Sequence, residues 1–329
     1  MSDFAIGIDL GGTNLKAALV RRGHGLVERS STPTGAEQGP DHVVDRLASA
    51  VREMMDAAPG SEIAGVGIGS PGTINWERTT VTQPPNFPGW MEVNLRKALR
   101  ERLSDRCENL GVFVENDANV AGLGSAHYGT GQPYDSFLMV TLGTGVGGAI
   151  IYQNRIFRGS TGAAGEIGHM TVNYAGPFEN FGIGGAIEGY VGQKFLSHHA
   201  RLRLRSRTDS LVHDLTGNNL EDLSPKILFE AADAGDEPAQ DMLAWAGHKL
   251  GVVLGSAVNL LDIRTIIVGG GVSAAGSFIL DPAREALREF AIPNLRDGLQ
   301  LLREERGNEV GLLGAAHLAF DGADTQVGS

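Results

Sequence analysis

An α/β protein in two halves is what this sequence predicts, and three observations carry the prediction. The run Phe4–Val20 is apolar, then a polar turn at Gly11 and Gly12, then apolar again, the grammar of strand, tight turn, strand. Ser136–Tyr152 repeats that grammar, with Leu142-Gly143-Thr144-Gly145 standing where Leu10-Gly11-Gly12-Thr13 stands first, a weak internal repeat. Around these stretches, buried-strand runs alternate with helical periodicities over 329 residues, enough chain for two domains with cores of their own.

Taken in order, Gly25 to Thr32 is expected as a third strand, and Asp41 to Ala57 has a helical period that stops at Pro59-Gly60. Ile63 to Gly69 reads as a buried strand ending in the turn Ser70-Pro71-Gly72. The proline-rich, aromatic loop Gln83 to Trp90 is either a structural loop or a lid. Val93 to Leu103 is an arginine-rich amphipathic helix, and Gly111 to Glu115 is a strand. That strand ends in Asn116-Asp117-Ala118-Asn119, before a helix from about Val120 to Tyr128. In the second half, Gly162 to His169 leads into a glycine-rich loop to Gly185 and a helix from about Ala186 to Ser197. His198 to Ser224 is polar and expected as an irregular insertion. Helices follow from Pro225 to Ala234 and from about Glu237 to Leu261, then a strand, Thr265 to Val268, ending in Gly269-Gly270-Gly271-Val272-Ser273. An apolar helix, Val310 to Phe320, precedes a small polar tail expected to be disordered.

Composition bounds the function. The net charge of −12 argues against a nucleic-acid partner, though not against a nucleotide held in a local pocket. The single Cys107 excludes an intrachain disulfide and a zinc site of several thiolates. The N-terminus enters a strand with no basic region or cleavage signal, so no signal peptide is expected and a cytoplasmic location is the default. The most apolar stretch, Leu250 to Val272, is broken by Asn259, Asp262 and Arg264 and reads as a buried helix running into a strand, not a membrane span.

The glycine turns invite a ligand. Glycines at 11 and 12 let backbone N–H groups approach an anion closely, and Asp9 at the strand end is placed to face a phosphate-bound cation. Alone, the segment is equally an ordinary hairpin. Two such turns facing each other across a cleft would grip one polyphosphate from both sides. Gly143 to Gly148 formally matches the dinucleotide fingerprint, but a strand follows where that site needs a helix, and there is no P-loop or nucleophile elbow. Asn116-Asp117 offers either a helix N-cap or a general base over a cleft. Glu166 and His169, three apart, share one face of a turn, while Glu188 opens a helix and complements its dipole. His198-His199 has no partner at metal-ligand spacing.

Taken together and in order, six segments resemble the ROK family (repressors, open reading frames, sugar kinases) of the actin/hexokinase ATPase superfamily. They are Asp9–Asn14, Gly69–Gly72, Glu115–Asn119, Leu142–Gly148, Gly165–His169 and Gly269–Ser273. The resemblance covers nearly the whole chain and implies a two-domain, actin-like ATPase fold of the ribonuclease H type with a central cleft. The smaller domain would comprise 1–118 plus 311–323, and the larger 119–310, carrying the sugar loop and a dimer surface. It implies that Asp9, Gly11, Gly12, Thr13, Asn14 and Lys16 form the first phosphate loop, Gly143, Thr144 and Gly145 the second, and Gly269, Gly270 and Gly271 the adenosine pocket. Asp117 matches the catalytic base, and Asn116, Glu166, His169 and Glu188, with Gly72 close by, match positions that bind sugar hydroxyls. A ring of carboxylate, amide and imidazole suits a hexose, whose hydroxyls both donate and accept.

One departure stands out. The family continues after the histidine with a C-x-C-G-x-x-G-C-x-E block, in which His and three Cys bind structural zinc. Here the three cysteine positions hold Glu179, Phe181 and Ala186, a set that cannot close a tetrahedral N/S site, so no zinc is expected. Phe178 and Phe181 are expected to hold the loop by burial instead. The implied reaction is phosphoryl transfer from ATP with Mg²⁺ to the 6-hydroxyl of a hexose, glucose first, with fructose, mannose or an N-acetylhexosamine as alternatives. A sugar-sensing repressor is disfavoured, because only three residues precede the first strand and the charge is acidic. A homodimer is expected from the family.

Overall fold

The structure, a computed structural model, describes residues 2–107 and 109–327. In chain order, the first elements are β1 (Phe4–Leu10), β2 (Asn14–Arg21), β3 (Gly25–Pro33), α1 (Pro40–Asp56), β4 (Ile63–Ser70), β5 (Thr73–Ile74), β6 (Thr80–Thr82), β7 (Glu92–Asn94), α2 (Leu95–Arg102), β8 (Val112–Asn116) and α3 (Asp117–Tyr128). There follow β9 (Phe137–Leu142), β10 (Val146–Tyr152), β11 (Arg155–Ile156), α4 (Glu188–Val191), α5 (Gln193–Leu204), α6 (Val212–Leu215), α7 (Pro225–Asp233), α8 (Glu237–Leu261), β12 (Thr265–Gly269), α9 (Ser277–Phe290), β13 (Gln300–Arg303) and α10 (Glu309–Val327).

The internal repeat is visible in the sheets. One has strand order β3-β2-β1-β4-β8 and the other β11-β10-β9-β12-β13, so each places its third, second, first, fourth and fifth strands in the same sequence. In the first sheet β1 pairs antiparallel with β2 and parallel with β4, and β4 runs parallel to β8. In the second, β12 runs parallel to both β9 and β13.

The chain divides into two compact units, one of 1–135, 149–165 and 308–329, the other of 136–148 and 166–307. These bounds differ from the expected 1–118 plus 311–323 and 119–310. Residues 119–135 go with the first unit because Val120 and Leu123 of α3 share a core with Leu312 to Phe320 of α10.

In the first unit, alternation along β1 sends Ile6, Ile8 and Leu10 into one core with Val43, Leu47, Val51 and Met54 of α1, and Ala5 into the other with α10. Helix α10 lies so close that a methyl on Gly67 of β4 would collide with the Ala315 carbonyl. In the second unit, Gly247, Gly251 and Gly255 recur every fourth residue on α8, and α9 packs directly on that stripe. Among the described residues no helix is long and apolar enough to cross a membrane; Leu250 to Val272 is the end of α8, β12 and the turn beyond.

Several expectations are corrected. Helix α3 starts at Asp117 rather than Val120, because the Asn116 side chain caps it. The expected helix 186–197 is two, α4 and α5, broken at Gly192 where ψ reaches 140°. The insertion 198–224 is irregular only in part, since α5 runs on to Leu204 and α6 spans Val212–Leu215: Leu196, Ala200 and Leu204 form a buried stripe on α5 that the surrounding arginines masked. Helix α9, strand β13 and the small sheet β5-β6-β7 were not anticipated. The polar tail does not fray at Phe320. It continues α10 to Val327, tied by paired bonds of 2.9 and 3.0 Å from the Arg22 guanidinium to Asp324, with that guanidinium 4.3 Å from the Phe320 ring centre. Gly328 and Ser329 lie outside the described residues.

Helices α3 and α10 also meet through two imidazoles. His127 stacks on His317 with ring centres 3.5 Å apart, and Asp321 lies 3.4 Å from His317. Burial first, then the neighbouring His317, push the His127 pKa down to about 4, against a smaller upward pull from Asp321. Because the folded value lies below the unfolded one, this contribution is fully present above about pH 6.5 and is lost as pH falls toward 4. His127 is only half-buried, so after allowance for solvent screening the expected loss at pH 5 is about 1 kcal/mol. Urea denaturation at pH 7 and pH 5 should show that loss in the parent and a smaller one in His127→Gln.

Candidate active site

The site residues fall in both units, and each unit builds its own set. In the first unit, β1 and β2 are joined by the turn 11–13. Register pairs Asp9 with Lys16 across the hairpin, and their charged groups meet at 2.9 Å. The turn is braced from behind: Gly11 N–H donates to the Asn14 carbonyl at 3.1 Å, and Thr34 donates its hydroxyl to the Gly11 carbonyl and its N–H to the Thr13 carbonyl. A cavity of about 500 Å³ opens beside it, lined by Gly12, Thr13, Gln38, His42 and Arg46 among others. The loop 83–90 is anchored by buried Phe87 and Trp90, rings 5.0 Å apart, and its Asn86 lies against Gly12. Gly72 has φ 93°, and a side chain there would press on Pro84 and the Thr82 carbonyl, so this turn admits only glycine.

At the β8–α3 junction the helix cap falls to Asn116. Asn116 Oδ1 accepts from the N–H groups of Ala118 and Asn119 at 2.9 and 3.3 Å and is the N-cap. Asp117 occupies the first helical position, exposed, with Oδ1 accepting from Ala118 N–H at 2.9 Å. The junction rests on Glu115, which is fully buried. Its Oε1 accepts from Asn116 N–H at 3.0 Å and from Asn119 Nδ2 at 3.1 Å. Its Oε2 lies 2.9 Å from both Arg78 Nε and Arg158 Nε. Arg158 in turn donates to the carbonyls of Asn75 and Trp76. Burial holds the Arg158 guanidinium below its usual range, with Glu115 pulling the other way. No role was foreseen for Glu115, Arg78 or Arg158. The available signal was a glutamate closing an otherwise apolar strand, which demands a buried cation.

In the second unit, the turn 143–145 closes with Gly143 N–H donating to the Gly145 carbonyl at 3.0 Å. Helices α4 and α5 fasten it at both ends. Gln193 N–H donates to the Gly143 carbonyl at 2.9 Å, and Val146 N–H donates to Glu188 Oε2 at 3.0 Å. Glu188 is buried, and its Oε1 accepts from Asn180 Nδ2 at 3.1 Å. Glu166 and His169 share a face as their spacing implies, Oε2 to Nε2 being 3.7 Å. At the end of β12, Gly270 has φ 85° and fits against the backbone of Leu142, while Gly271 faces open space.

The loop after His169 is not held by buried phenylalanines: Phe178 and Phe181 are 71% and 68% exposed. The buried Glu179 carboxylate holds it, accepting the N–H groups of Phe181 and Ile183, each at 2.9 Å. Those bonds fix the loop backbone without a hydrophobic plug. Of the four positions that zinc would need, Phe181 and Ala186 carry no donor, so the set does not fit that ion. His199 bonds the Gly189 carbonyl at 2.9 Å, and no group of three or more potential metal ligands occurs among the described residues. Asp9 supplies one hard carboxylate oxygen donor, the kind Mg²⁺ takes while keeping several waters.

The family model described as ROK matches residues 5–321. A glucokinase of Thermotoga maritima is 32% identical over 313 residues, 95% of this chain and 96% of that protein. Among solved structures, the ROK family glucokinase of Streptomyces griseus in complex with glucose and AMPPNP superposes with a TM-score of 0.84 at 33% identity, covering 97% of this chain and 99% of its own. The ROK hexokinase of Thermus thermophilus gives 0.78 at 30% identity, covering 98% and 99%.

Proposed function

The chain belongs to the ROK family, and we propose that it is an ATP-dependent hexose kinase that phosphorylates the 6-hydroxyl of glucose. It has the mixed α/β, two-domain actin-like fold of the ROK glucokinases. One observation carries the reading: with Asn116 capping α3, the exposed Asp117 carboxylate is left on the first turn of a helix, in a chain 33% identical to a glucokinase that binds glucose and AMPPNP.

In this reading Asp117 accepts the proton of the attacking hydroxyl. Asn116, Glu166, His169 and Glu188 orient the sugar, with Gly72 giving close backbone approach. The turn 11–14 with Lys16, and the turn 143–145, receive the phosphates, and 269–271 receive the adenosine. Mg²⁺ bound with the nucleotide near Asp9 supplies positive charge against the phosphates. The enzyme works as a cytoplasmic homodimer with no nucleic-acid or membrane partner.

A coupled assay across glucose, fructose, mannose and N-acetylhexosamines, with ATP as donor, tests this. Glucose should give the highest kcat/KM. Turnover of another hexose alone would move the substrate assignment, and no sugar-dependent ATP turnover at all would end the kinase reading.

A further inference from the structure

Glu179 stands where the family's zinc block has its first cysteine, and its surroundings are complete without a metal. Its side chain is fully shielded from solvent, and each carboxylate oxygen already accepts one backbone N–H, from Phe181 to Oε2 and from Ile183 to Oε1. Its Oε2 also lies 3.6 Å from Nδ1 of His169. That nitrogen is buried and lacks a hydrogen-bond partner. The distance is long for a hydrogen bond but short enough for the carboxylate to bias which way the ring faces. Phe181 closes the other side, its ring edge-on to the imidazole with centres 5.1 Å apart. The next residue, Asn180, donates to Glu188, and Glu188 accepts from Val146 beside the second glycine turn.

We propose that Glu179 is a metal-free anchor for this loop, a positioning residue that orients His169 directly and Glu188 through Asn180. A buried carboxylate is tolerable only with compensating donors, and the two N–H groups supply them. With Nδ1 turned toward Glu179, Nε2 is the ring nitrogen left to meet a ligand. The ligand in question is the hexose of the kinase reading, on which this role rests.

Three measurements test it. Metal analysis of the purified parent should find far less than one zinc per chain. Glu179→Ala should raise KM for glucose about tenfold, as expected for lost hydrogen bonding at a buried site, with kcat and KM for ATP within about threefold. Glu179→Gln, which keeps one acceptor oxygen, should fall between. Hydrogen exchange at the Phe181 and Ile183 amides should quicken in Glu179→Ala, a readout independent of any activity. Stoichiometric zinc, unchanged exchange at both amides, or a lower melting temperature with glucose KM unmoved would each overturn the proposal. Absence of sugar phosphorylation by the parent would instead remove the kinase reading, leaving exchange and metal content to decide the anchor.

Discussion

Asp117→Ala should lower kcat by about 10²–10⁴, the usual range for a positioned general base, in a protein that still folds. The structure separates the two effects. The cap is Asn116, whose Oδ1 accepts from Ala118 and Asn119, so the helix keeps it in the variant. The fold loses the bond from Ala118 N–H to Asp117 Oδ1, worth about 1 kcal/mol. Sugar affinity should change little, because the base acts on the proton in the transition state. A coupled kinetic assay and a thermal melt read the two quantities independently. A variant with parental kcat would remove Asp117 from the mechanism, whatever its melting temperature.

Glu115→Ala should destabilise the protein by about 3–5 kcal/mol, because removing one member of a buried ion cluster leaves the others uncompensated. Arg158 is buried and Arg78 half-buried beside it. The same change strips acceptors from Asn116 N–H and Asn119 Nδ2, so kcat should fall as well, through loosening of the turn that carries Asp117. Glu115→Gln keeps the shape and one acceptor and should cost less in both respects. Urea denaturation measures the stability change. A loss below about 1 kcal/mol in Glu115→Ala would mean that the two guanidinium groups find other compensation and that the cluster is not what holds the junction.

Much of this site was legible in the chain because its parts are local. A tight strand–turn–strand needs glycines within a few residues of each other, and Gly11-Gly12 and Gly143 to Gly145 announce two of them. The pair Glu166 and His169 follows from spacing alone, and α8 was read at its observed ends, Glu237–Leu261. Other features joined residues far apart, and no local pattern could register them. Glu115 and Arg158 meet from different strands and loops. The carboxylate that fastens Val146 comes from Glu188, in α4. Helix α9 hid its apolar stripe behind Pro282 and dense charge, and only its packing on α8 made it evident.

The amino-acid order by itself determined the family, the repeated strand–turn–strand and the residue types of the candidate site, since periodicity and turn chemistry are set by near neighbours along the chain. Tertiary structure alone decided that Asn116 rather than Asp117 caps α3, that Glu115 is neutralised by two arginines, and that Glu179 is spent on its own loop. Glu115 meets its two arginines only when distant segments are brought together and water is excluded, whereas Asn116 and Glu179 find donors within four residues, a choice among near neighbours that residue types leave open.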